Sequence, residues 1–212
     1  MTQHTMPTRG ELGLRVGRTV VPEERVFSAP LAWTLKNARH RYAQSWRLIV
    51  AKMLGIPHFY GTLSLRKFCA DGSIIDYGIV SRRVVTTAFV NYAVDAMQAD
   101  QAFETFNFHA FGEGTTAAAI TDTGLETELT TEYATDNTRL TGTQTEGASA
   151  NIYRTVATLD PDAACDVTEH GILRANTGAT TLLDRTVFTA IPLGATGDTL
   201  EATYDLTIAA GG

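Results

Sequence analysis

Several groups of residues in this chain have types and spacings that could do chemistry. Gly112-Glu113-Gly114-Thr115-Thr116 follows a strand-like segment, where a phosphate-cradling loop would sit. A Walker-type loop also needs a lysine at a fixed distance to reach the phosphates, and none is there. The loop lies in an acidic stretch that repels phosphate, so a glycine-rich strand exit is the expectation. His109 and His170 raise a metal or general-base chemistry, with Glu169 beside the second. Neighbours on a strand face opposite sides. No HExxH, no second histidine at ligand spacing and no cysteine cluster completes a site. Hydrogen-bonded structural histidines are expected instead. Asp160, Asp162 and Asp166 are spaced loosely like a calcium loop, without its central glycine or closing glutamate. Serines are sparse and none sits in a G-x-S-x-G elbow. The 20 acids of residues 68–212 leave a glycosidase-type carboxylate pair open. Arg185, in LLDRTVF, is one of only six basic residues in that acidic part. Its apolar neighbours predict a buried or interfacial ion pair with a structural role, Asp184 facing the other way. The expectation is a non-enzyme with no catalytic residue, cofactor or metal.

Around these groups the charge of the chain divides. Residues 1–67 hold 11 Lys and Arg against 3 Asp and Glu, a balance of +8. Residues 68–212 hold 6 against 20, a balance of −14, and no lysine follows Lys67. A basic leading segment on an acidic body suits an arm that docks on a negative surface. That surface is nucleic acid, an anionic membrane or the acidic body of a neighbouring copy. Residues 1–30, with Pro7, Gly10, Gly13, Gly17, Pro22 and Pro30, show no sustained period and read as an extended arm. In residues 31–54 Leu31, Leu35, Tyr42, Trp46, Ile49, Val50 and Met53 recur near helical spacing, with Lys36, Arg39, Arg41, Arg47 and Lys52 between them. This predicts one basic amphipathic helix ended by Gly55 and Pro57. Its apolar face needs a cover, either the body or another subunit. The residues expected to bind a partner are Arg15, Arg18, Arg25, Trp33, Arg39, Arg41, Trp46 and Arg47. Nucleic acid is the weaker partner, because Trp33, Tyr42 and Trp46 are also spaced as a helix stripe. No apolar run approaches the roughly 18 residues of a membrane span, and no membrane partner is expected. The N-terminus has no apolar signal region. Cys69 and Cys165 give no disulfide framework, which fits assembly in a reducing cytoplasm.

From Phe59 on, strand signals dominate. FYGTLSLRKF alternates, Asp71-Gly72 marks a hairpin turn, and IIDYGIV and RRVVTT are β-branched runs. Thr87 is a candidate cap for a short helix, AFVNYAVDAMQ, with Phe89, Ala93 and Met97 on one face. TFNFHAF, NIYRTVATL and TLLDRTVFTAI add strands. In TLEATYDLTI, Leu200, Ala202, Tyr204, Leu206 and Ile208 fall on one side and Thr199, Glu201, Thr203, Asp205 and Thr207 on the other. Residues 115–212 contain 24 threonines, which suit the wet face of half-buried strands. The predicted fold is mainly β: an antiparallel β-sandwich, Greek-key or jelly-roll-like, over 59–212, carrying an N-terminal arm and helix over 1–58.

Four segments share features with one set of proteins: 109–133 (HAFGEGTTAAAITDTGLETELTTEY), 138–160 (TRLTGTQTEGASANIYRTVATLD), 168–175 (TEHGILRA) and 182–208 (LLDRTVFTAIPLGATGDTLEATYDLTI). A G-x-G-T-T-A segment, an acidic D-T-x-L-x-x-E-L, an E-H-G, an L-L-x-R-[TS]-x-F strand and a closing G-D-[TS]-L-x-x-x-Y-x-L-T strand occur in that order. In this the chain resembles structural proteins of tailed bacteriophages. The resemblance covers about half of the chain and leaves 1–58 without a signature. It implies a virion protein made in the host cytoplasm. The expected function is a capsid cement or decoration protein, with the major capsid protein or neighbouring virion subunits as partners and a ring, most simply a homotrimer, as the assembly. A tail, connector or fibre-base component is the alternative, and a glycan-binding module a further one.

Overall fold

A computed structural model describes residues 25–42, 45–98, 105–134, 136–194 and 197–210. Arg15 and Arg18 lie outside them. In chain order the elements are β1 (Val26–Ser28), α1 (Leu31–Tyr42), α2 (Ser45–Met53), β2 (His58–Phe68), β3 (Ile74–Val84), α3 (Thr87–Met97), β4 (Phe108–Gly112), β5 (Leu140–Thr141), β6 (Thr143–Glu146), β7 (Ile152–Leu159), β8 (Cys165–Leu173), β9 (Leu182–Leu193) and β10 (Thr199–Ala209). The protein is mainly β, with two mostly antiparallel sheets. One runs β1-β3-β2-β10-β7-β6 and the other β5-β4-β8-β9. Only the β1–β3 pairing is parallel among the described strands.

The alternating strands behave as their patterns require. On β2, Leu63 and Leu65 are buried; on β10, Leu200, Ala202, Tyr204 and Leu206 are buried. The alternation fails at the end of β10. Thr207 is buried, and Ile208 emerges at the rim of an apolar cavity beside Met97. Asp71-Gly72 makes the expected turn, with Gly72 at φ +77°. One core cluster draws from both sheets: Leu63, Leu65, Val80 and Leu200 from the first, Phe111, Val167, Phe188 and Ile191 from the second.

Four expectations need correction. Val26–Ser28, placed in the arm, pairs with β3 as an edge strand. The cap of α3 is Thr86, whose hydroxyl accepts from Phe89 N, and not Thr87; Met97 leaves the Phe89–Ala93 face and is exposed. The single helix over 31–54 is two helices. On α1 the residues that turn inward are Trp33 and Asn37, four apart. Trp33 Nε1 donates to the Thr189 and Ala190 carbonyls at 2.9 and 3.1 Å. Asn37 donates to Val80 O and accepts from Thr189 N, at 3.1 and 3.0 Å. These bonds clamp α1 across β3 and β9. They also fix which face is left over, and it is the apolar one. Leu31, Leu35, Tyr42, Trp46, Ile49, Val50 and Met53 are all between 43 and 80 % exposed. No described helix is long and apolar enough to cross a membrane.

Candidate functional site

The two helices carry most of the residues expected to bind a partner. Arg39, Trp46 and Arg47 are exposed on them, Arg41 is partly so, and Arg25 is exposed just before β1. Trp33 is the exception. Its indole is committed to the body carbonyls and packs on Tyr77 at 4.6 Å, so it positions the helix rather than presenting a contact. Cations lie over the aromatic rings: Arg47 over Trp46 at 5.5 Å, Arg41 over Tyr42 at 5.8 Å and Lys52 over Tyr60 at 4.9 Å. No acidic residue occurs between Glu24 and Asp71. The outer surface of this layer is therefore both apolar and wholly cationic.

A second assembly is built from the motif segments. Glu169, on the doubly covered strand β8, is fully buried. Its carboxylate accepts from Gly114 N (3.1 Å), Glu126 N (3.1 Å) and Thr127 N (2.7 Å), and from Arg185 Nε on β9 (2.7 Å). Arg185 also donates through Nη1 to Asp122 at 3.1 Å and through Nη2 to Glu126 at 3.3 Å. Burial works against its charge, but the bonds to Glu169 and Asp122 outweigh it and raise its pKa. The Gly112–Thr116 loop does cradle an anion: the protein's own. A Cβ on Gly112 or Gly114 would fall 2.6 or 2.5 Å from Glu169 Oε1, which is why glycine stands at both positions. The G-x-G, D-T-x-L-x-x-E-L, E-H-G and L-L-x-R segments thus meet in one charge network.

This network floors an open cleft of about 580 Å³ that Thr116, Asp122, Glu126, Arg139 and Arg185 help to line. Its polar groups are engaged. Arg139 holds Glu128 through Nε and Nη2 at 2.5 and 2.8 Å. The Thr116 hydroxyl and amide both donate to Glu126, and these bonds, with Arg185 adding to them, lower the Glu126 pKa. A carboxyl held ionised in this way is unsuited to general-acid work, which needs a raised pKa.

The two histidines form a pair. His109 Nδ1 and His170 Nε2 are 3.0 Å apart, and His109 Nε2 lies 3.1 Å from Thr155 Oγ1. Burial pushes His109 down to about 3; burial, then His109 itself, lowers His170. Among the described residues no group of three His, Cys, Asp or Glu could hold a metal. Asp184 does face away from Arg185, toward the first sheet. It is buried 3.8 Å from Arg83 Nε, and burial pushes its pKa up to about 6.

Sequence reasoning singled out Arg185 and expected its carboxylate. It missed Glu169 as the hub and the pairing of His109 with His170. A signal for the hub was available: the acidic motif carries Asp122 and Glu126, and the body has few cations to balance them. Comparison with protein-family models, with curated proteins and with solved structures finds no match to this chain.

Proposed function

We propose that this chain is a non-enzymatic structural protein of a tailed-bacteriophage virion, a capsid cement or decoration protein that adheres through its basic N-terminal arm and helical layer. The observation that carries this reading is the outward apolar stripe of α1 and α2, set among cations and left uncovered by the body. Large exposed apolar patches mark interaction surfaces, and the cations select an acidic cover. The major capsid protein or neighbouring virion subunits would supply it, in a ring that is most simply a trimer. The two sheets are read as a face-to-face sandwich, Greek-key or jelly-roll-like, which the core drawn from both of them supports. The motifs that resemble phage structural proteins then serve architecture: they build the Glu169–Arg185 network that locks loops to the second sheet.

Replacing Trp46, Ile49 and Met53 together with alanine tests adhesion. All three are exposed, so thermal unfolding stays within a few degrees of wild type. Occupancy on purified particles, read by quantitative mass spectrometry, is expected to fall at least tenfold, since apolar anchors dominate such contacts. Wild-type occupancy of the folded variant would overturn adhesion through this layer.

A further inference from the structure

The molecule is polar along its long strands. The β2–β10 pair sets Tyr60 opposite Thr207 at one end and Phe68 opposite Thr199 at the other. At a strand rise of about 3.3 Å per residue these ends are roughly 25 Å apart. The α2 patch belongs to the first end: Lys52 lies over Tyr60, and Trp46, Ile49, Val50 and Met53 are exposed beside it. At the second end Lys67 is taken up by Asp198 at 2.8 Å, and the charge beyond that pair is acidic. Leu159, the partner of Leu200, leads into the loop that holds Asp160 and Asp162. Ala134 N donates to Asp160 O, Asp162 N to Glu132 O and Asp166 N to Glu113 Oε1, gathering Glu113, Glu132, Asp160, Asp162 and Asp166 together. Among the described residues none of these five carboxylates has an ion-pair partner. The potential there is strong enough to act on the neighbouring thiol. Burial first, then Glu113, Glu132 and Asp166, push Cys165 up to about 11.

We infer that the α2 face of one copy docks on the acidic pole of the next, Glu113–Glu132–Asp160–Asp162–Asp166, so that the chain assembles head to tail. Charge complementarity selects this occupant: the cationic apolar face and the unpaired carboxylates lie on opposite ends of one molecule, where neither can neutralise the other. Such an interface is heterologous and propagates until a ring closes. Resting as it does on the helical layer being an attachment face, this contact is independent of the virion assignment and is tested on the purified full-length protein.

Sedimentation of three proteins decides it: wild type, a face variant (Trp46→Ala, Ile49→Ala, Met53→Ala) and a pole variant (Glu113→Gln, Asp162→Asn, Asp166→Asn). Wild type is expected to assemble, and at least tenfold more weakly at 500 mM than at 50 mM salt, because the charges are screened. Each variant alone is expected to sediment as a folded monomer at concentrations where wild type assembles. Their equimolar mixture is expected to form a dimer and nothing larger, since one supplies an intact pole and the other an intact face. A pole variant that assembles like wild type, or a mixture that stays monomeric, would overturn head-to-tail docking. So would a monomeric wild type, a result that leaves attachment to particles to be judged separately by occupancy.

Discussion

Replacing Arg185 with methionine is expected to lower the unfolding free energy by about 3–5 kcal/mol, the usual cost of stranding one partner of a buried ion pair. In a chain of this size that is a fall in Tm on the order of 10 °C. Glu169 would keep three backbone donors, from Gly114, Glu126 and Thr127, but lose the cation that balances its buried charge. Asp122 and Glu126 would lose the guanidinium that holds them near it. The double variant Glu169→Gln/Arg185→Met removes the buried charge altogether. It is expected to be more stable than Arg185→Met alone but less than wild type, because the amide of glutamine meets backbone donors that the carboxylate had accepted from. Urea midpoints at pH 7.5 measure all three. A loss below about 1 kcal/mol in the single variant would contradict the central structural role of Arg185.

Acidification from pH 7 to pH 5 is expected to cost on the order of 1–3 kcal/mol. His109 and His170 have folded pKa values depressed below the ordinary 6.5, so the unfolded chain binds their protons first. Their contribution is complete above about pH 6.5 and is lost as the pH falls toward the folded values. At 1.36 kcal/mol per unit, the neutral buried His109 loses about 2 kcal/mol by pH 5, and His170 adds to the loss with the same sign. Asp184 has the opposite sign. Its folded pKa of about 6 lies above the ordinary 3.8, so the folded state takes up that proton first and regains about 1 kcal/mol over the same range. Urea unfolding at pH 7, 6 and 5, at one protein concentration, measures the net loss. In the variant His109→Gln/His170→Gln the decline should vanish, leaving the small rise due to Asp184. A wild-type stability that stays flat to pH 5 would mean that the pair accepts a proton without unfolding.

The legible parts of this fold were those where one side of an element is wet. β2 and β10 alternate, and on β10 the pattern names the buried residues down to Leu206. β8 (Cys165–Leu173) went unassigned because both of its faces are covered: from Val167 to Leu173 every residue is buried, so no period of two survives in VTEHGIL. The β5 and β6 strands are too short to carry a pattern. For the helices, spacing identified which residues share a face, but not which way that face points. An inward Asn37 with two backbone bonds is invisible to hydrophobic periodicity, and it is Asn37 with Trp33 that decides the orientation. The charge network shows the same limit. Arg185 stood out because cations are rare in the body, whereas Glu169 was one acid among many and acquires its role only where four chain segments meet.

The proposal of a virion cement protein is tested most directly by copy number: quantitative mass spectrometry of purified particles, with the major capsid protein as the internal reference. A ratio near one copy per capsid subunit, or one trimer per local threefold, is the result expected of a shell-bound adhesive. A dozen copies or fewer would contradict it and move the protein to the tail or neck, with the basic arm and helices holding subunits to one another there.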